Sequence, residues 1–275
     1  MPPILLHLVP ASIYAALGAH FWRTRWLDPV ANPRKGLSLR ERLAILAALS
    51  LHGFLLHGAL FPGGGMHFGF GVALSLMIWL AVLFYWIEAL YTRLDGLQTL
   101  AMPIAAIASL LPALFPGQHI LDNSGTPAFR VHFIIAMLAY SLFTLAAFHA
   151  LLMSAAEKRL HNARLNRALA NLPPLLTMEA LLFRLVTIAF ILLTLTLVSG
   201  IGFSEQLFGR PARLDHKTVF GFASWGIFAT LLVGRHFWGW RGRPALRWIL
   251  AGFIALLLAY VGTRFVTEVL LTRTG

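Results

Sequence analysis

The chain has 275 residues, of which 59% are apolar and only 12% charged, with a formal net charge of +12 and a mean hydropathy of +0.76. A soluble domain carries about twice that share of charge, and a water-soluble fold of this length would lack the polar groups to cover its surface. Cysteine is absent, which excludes disulfides, thiolate metal sites, iron–sulfur clusters and thioether attachment of a cofactor to this chain.

Crossing a hydrocarbon core takes about 20 predominantly apolar residues. Eight stretches qualify: Ile4–Trp22, Leu43–Phe61, Phe68–Tyr91, Leu97–Phe115, Phe129–Ala155, Met178–Phe203, His216–Trp238 and Trp248–Leu271. The expected fold is an all-α integral membrane protein of about eight transmembrane helices, forming one polytopic domain over residues 1–275. Met1–Pro10 holds no Lys or Arg, and the positive residues follow the first apolar stretch. That order suits an uncleaved anchor rather than a signal peptide. The fourth stretch contains Pro103 and Pro112, which interrupt backbone pairing and kink a helix. The connection Ala155–Leu172 is basic and loosely amphipathic, and reads as a short helix lying on anionic headgroups.

Alternating the connections between two sides puts fifteen of the 22 Lys and Arg on one side and six on the other, with Arg184 inside the sixth stretch. The positive-inside rule makes the first side cytoplasmic. Both termini then lie outside the cytoplasm, and the membrane is a bacterial inner (cytoplasmic) membrane. The same bias accounts for most of the net charge. The partner it implies is membrane lipid, and no nucleic acid is needed to explain it.

Acidic residues are too few and too dispersed for a general acid/base pair. Gly63–Gly65 lacks the lysine of a phosphate loop, and Ser199–Gly200 lacks the context of a nucleophile elbow. The eleven histidines carry more. His132, three residues into the fifth stretch, and His216, opening the seventh, lie at matching depth near the outer surface. Two neutral imidazoles on facing helices are what axial ligation of haem iron, or a simple metal site, requires. His52 lies about 15 Å into the second stretch, near the midplane, where an ionisable group is costly and usually functional. Arg264 stands near the outer end of the eighth stretch, with Arg130, Arg213 and Lys217 also outside. Guanidinium forks suit carboxylates such as haem propionates. The bland alternatives are hydrated interfacial histidines and arginines that snorkel to headgroups.

Several strings together resemble a known family: Val131-His132-Phe133 with Ala139-Tyr140-Ser141, Leu172-Pro173-Pro174-Leu175, Leu192 to Gly200, His216-Lys217-Thr218 with Trp225, and Gly234-Arg235-His236 with Gly239 to Arg243. They look like the cytochrome c assembly superfamily of membrane proteins, the CcsA/CcmC/HemX-like group. The likeness spans nearly the whole chain and is densest from His132 to Arg264. It implies haem handling at the outer face, with haem b as cofactor. His132 and His216 would be the iron's axial ligands, His52 an intramembrane ligand, and Arg264 a propionate partner. Other cytochrome c maturation or membrane proteins would be partners. Haem handling of this kind is not catalysis. One departure stands out: the outer connections Pro116–Ala128 and Ser204–Asp215 contain no tryptophan, whereas CcsA-type members carry a Trp-rich WWD segment there. The alternative is a HemX-like accessory or regulatory subunit without obligatory haem. A transporter is disfavoured, since neither an inverted repeat nor a buried carboxylate relay is visible.

Overall fold

The computed structural model describes residues 3–27, 36–92, 96–116, 120–121, 124–161, 175–204 and 215–271. Eight principal helices follow one another among them: α1 (Pro3–Phe21), α2 (Leu39–Leu60), α3 (Phe70–Tyr91), α4 (Gln98–Leu114), α5 (Pro127–His161), α6 (Leu175–Gly202), α7 (His216–Trp238) and α8 (Gly242–Leu257). Wider π-helical turns prolong α1 through Leu27 and α8 through Leu270. Seven of the helices are long and apolar enough to cross a membrane. The exception is α4, an apolar helix of 17 residues containing Pro103 and Pro112. At 1.5 Å per residue it is about 26 Å long, slightly short of a hydrocarbon core of about 30 Å. The chain is a multi-pass, all-helical membrane protein.

Of the boundaries that differ from the sequence reading, three bear on the argument. α2 starts four residues earlier, because Ser38 and Glu41 form a capping box in which each side chain accepts from the other's backbone N–H. α8 starts six residues earlier than expected, since Pro244 falls in its first turn, where a missing N–H costs nothing. α5 continues to His161, absorbing the start of the basic connection whose remainder, 162–174, lies outside the described residues.

Helices α1–α4 pack with one another, as do α5–α8, and the halves meet chiefly where α3 lies on α5. Small residues allow the close approaches that helices in lipid need. A Cβ on Gly71 of α3 would stand 2.6 Å from the Leu111 carbonyl oxygen of α4, and one on Gly18 of α1 would meet Pro103 at 3.0 Å.

The ends of the bundle differ in charge chemistry. At one end, Glu41 pairs with His20 (2.9 Å) and with the buried Arg25 (3.4 Å), Glu179 with Arg235, and Glu157 with Arg243 (3.5 Å). At the other, the starts of α3, α5 and α7 meet the ends of α6 and α8. There the Phe70 backbone N–H donates to Glu268 (2.7 Å), and Phe68 packs on Phe133 and Tyr260.

A candidate ligand cavity between α5, α6, α7 and α8

At this second end a partly open cavity of about 400 Å³ lies among α5–α8, within the usual range of small-ligand sites. α5 contributes His132 and Tyr140. α6 contributes Leu193, Thr196, Leu197, Gly200 and Ile201. The first turns of α7 contribute Lys217, Thr218, Gly221 and Phe222, and α8 contributes Leu256, Ala259 and Tyr260. Apolar surface dominates, with a few polar groups converging on it. α8 supplies its wall where it widens into the π-helical turn Leu258–Gly262, an irregularity frequent at functional sites.

His132 is half-buried and held on α6. Its Nδ1 lies 2.8 Å from Ser199 Oγ, which also donates to the Thr196 carbonyl at 3.1 Å. A Cβ on Gly200 would stand 3.5 Å from His132 Cε1, so the ring lies along the α6 backbone where that helix carries no side chain. His216, by contrast, is exposed at the first position of α7 and is not part of the lining, although Asp215 and Lys217 on either side of it are. Asp215 caps α7 by accepting from the Thr218 N–H (2.9 Å).

Arg264 does not reach the cavity lining. It lies behind Tyr260, with its guanidinium 5.6 Å from that ring and 3.4 Å from Glu268. Lys217 sits over the same ring at 5.7 Å and lines the cavity. Both cations thus lie near the Tyr260 ring, and Lys217 is the one that lines the ligand space.

His52 belongs to the other half of the bundle. It is fully buried, its Nε2 lies 2.8 Å from Ser75 Oγ of α3, and its ring meets Tyr14 of α1 edge-on at 5.8 Å. His52 Nδ1 and the Tyr14 hydroxyl are both buried without a hydrogen-bond partner among the described residues. His7 of α1, whose Nδ1–H donates to the Ser109 carbonyl (2.7 Å), lies within electrostatic reach of His52. The structure thus gathers His132 with Lys217 in one cavity and sets His52 apart, among α1–α4.

Sequence reasoning did not single out Ser199, Tyr260, Tyr14 or His7 as site residues. Ser199 was findable from depth, since it ends α6 where His132 begins α5, and Tyr260 from its place one turn before Arg264. Among the described residues no group of three or more His, Asp or Glu could hold a metal ion by itself, so a protein-only zinc centre has no ligand set there.

The chain is similar in sequence to several known proteins. The inner membrane protein YpjD of Escherichia coli K12 is 30% identical over 240 residues, covering 84% of this chain and 88% of the relative. An uncharacterized 28.8 kDa protein of Azospirillum brasilense is 30% identical over 218 residues, 76% of this chain and 78% of its own. The cytochrome c biogenesis protein CcsA of Prochlorococcus marinus MIT 9215 is 34% identical over 88 residues, 32% of this chain and 28% of that protein. The chain matches no solved structure. The family model described as cytochrome C assembly protein matches residues 39–271, and the chain belongs to that family.

Proposed function

We propose that this protein holds haem b in the cavity among α5–α8 and presents it during cytochrome c assembly. The observation that carries the reading is His132. It is an imidazole fixed to α6 in the wall of a mostly apolar cavity, with Lys217 facing the same space. Those residues suit an apolar macrocycle with negative substituents: nitrogen for a metal, aliphatic and aromatic walls for the ring, a cation for carboxylates. Haem supplies an iron that takes axial nitrogen donors and two propionates that carry charge. His132 would hold the iron from α5, and His216, exposed one residue from Lys217, would be its second histidine ligand. Lys217 would hold a propionate, with Arg264 beside Tyr260 and Glu268. His52, with His7 on the neighbouring helix, is a separate intramembrane ligand candidate.

The setting proposed with this is a bacterial inner membrane, as the printed name of the E. coli relative suggests. Both termini lie outside the cytoplasm and residues 1–275 form one domain. Partners are lipid and other cytochrome c maturation proteins. The test is an absorption spectrum of the detergent-purified protein, oxidised and reduced, after haem loading. The wild type is expected to show a low-spin bis-histidine Soret band, His132→Ala to lose most of the bound haem, and His216→Ala to lose the low-spin signature. A wild type that takes up no haem, or variants that match it, would sink the reading.

A second reading draws on one observation: the outer connections contain no tryptophan, and none lines the cavity among the described residues. It makes the chain a HemX-like accessory subunit. A stoichiometric partner whose co-purification survives haem depletion and the histidine substitutions would favour it.

A further inference from the structure

We infer that Ser199 is a positioning residue that sets the tautomer of His132. This deepens the haem reading above and rests on it only for its consequence, since the tautomer can be measured in the haem-free protein.

The argument is one of donors and acceptors. A backbone carbonyl only accepts, so the 3.1 Å contact from Ser199 Oγ to the Thr196 oxygen takes the hydroxyl's single proton. The same oxygen then offers lone pairs to its other neighbour. His132 Nδ1, 2.8 Å away, carries the ring proton and donates it. In a neutral imidazole that leaves Nε2 as the lone-pair nitrogen. Nε2 is on the opposite side of the ring from Nδ1, and His132 forms part of the cavity wall. Gly200, adjacent to Ser199, leaves the ring room to lie in this orientation, with Cε1 3.5 Å from where a Cβ would be. Ser199 thus does for a ligating histidine what carbonyl and carboxylate partners do elsewhere: it fixes the rotation of the ring and which nitrogen can coordinate. The hydroxyl touches no ligand itself. Ser199 and Gly200 together are what α6 contributes at this level.

The experiment uses the full chain in lipid nanodiscs with 15N-labelled histidine, without haem, at a pH where imidazole is neutral. The His132 resonances are assigned by difference against His132→Asn. The wild type is expected to show a protonated Nδ1 and an unprotonated Nε2. Ser199→Thr keeps the hydroxyl and should keep that pattern. Ser199→Ala should show a mixture of tautomers and, on haem titration, an affinity lower by about 10-fold to 100-fold, with Ser199→Thr near the wild type. A wild-type ring protonated on Nε2, or a Ser199→Ala spectrum identical to the wild type, overturns the assignment. If the wild type shows the Nδ1–H pattern but takes up no haem, the haem reading fails and the positioning role of Ser199 stands. The wild-type and Ser199→Thr spectra decide the matter even if Ser199→Ala does not fold.

Discussion

Replacing Gly234 by alanine should destabilise the protein, while the same change at Gly226, two turns earlier on the same helix, should not. A Cβ on Gly234 would stand 2.5 Å from Cδ2 and Cε3 of Trp240, so the indole must retreat by about 1 Å to reach van der Waals distance. It has little room to do so. Trp238 and Trp248 flank it, at 6.2 and 5.6 Å between ring centroids. Its backbone is tied down as well: its N–H donates to the Gly234 carbonyl (3.2 Å) and its carbonyl accepts from Arg235 (3.2 Å). The turn between α7 and α8 is further fixed by Gly239 at φ +65°, a conformation that costs glycine nothing. Overpacking of this kind costs about 1–3 kcal/mol, and the gain in helix propensity returns at most about 1 kcal/mol. With the full propensity gain the net loss is up to about 2 kcal/mol, and it is larger where less of that gain is realised. Nothing lies within 4 Å of a Cβ at Gly226, so only the propensity gain remains there. Thermal unfolding in detergent, followed by intrinsic tryptophan fluorescence, measures both. A Gly234→Ala protein as stable as the wild type, or a Gly226→Ala protein equally damaged, would refute the reasoning. Trp240→Leu should relieve the penalty at Gly234.

Ser38→Ala removes the capping box of α2 and should lower stability by about 0.5–2 kcal/mol, read from the same unfolding midpoint. Tyr14→Phe deletes a buried hydroxyl that has no hydrogen-bond partner among the described residues, so it should be neutral or stabilising by up to about 1–3 kcal/mol; a clear loss would mean that the hydroxyl is engaged in the membrane. For the Arg235–Glu179 pair, with side chains 29% and 12% exposed, a double-mutant cycle with Arg235→Gln and Glu179→Gln should return a coupling of about 1–2 kcal/mol. That is a charge-assisted bond discounted for partial solvation.

Helix number and apolar extent were legible because a membrane span is a statement of length and composition, and both are printed in the chain. Boundaries were legible only where local chemistry marks them. The Ser38-x-x-Glu41 box and Pro244 are such marks, and reading them moves the starts of α2 and α8 toward their observed places. Depth was legible too, since rise per residue converts position into height, and it placed His132 at the end of the bundle where the cavity lies. Rotation and partnership were not. His132 and His216 share a depth, yet one faces inward on α6 and the other is exposed at a helix start. Depth likewise did not reveal that His52 belongs to α1–α4, because which helices are neighbours follows from packing at positions such as Gly18, Gly71 and Pro103. Arg264 shows the same limit: its height suits a propionate, but Glu268 and Tyr260 occupy it.

The described carboxylates are used differently at the two ends of the bundle. Glu41, Glu157 and Glu179 are all spent on cations at the arginine-rich end, where His20, Arg25, Arg235 and Arg243 pair with them. An ionic network of that kind ties helix ends together. At the cavity end, the described carboxylates are Asp215 and Glu268, and both accept from backbone N–H groups, Asp215 from Thr218 and Glu268 from Phe70, while Glu268 also pairs with Arg264 (3.4 Å). Their negative charge is therefore shared with helix N-termini, which carry partial positive charge of their own. What lines the cavity is then mostly apolar surface, with hydroxyls, the His132 imidazole, the Lys217 ammonium and the helix-capping Asp215 carboxylate. In the proposed function, that apolar lining takes the porphyrin ring and Lys217 takes its anionic edge. Substituting Lys217 by glutamine should weaken an anionic porphyrin more than its dimethyl ester, in parallel titrations of the detergent-solubilised protein. Equal losses for both would mean that Lys217 contributes packing alone.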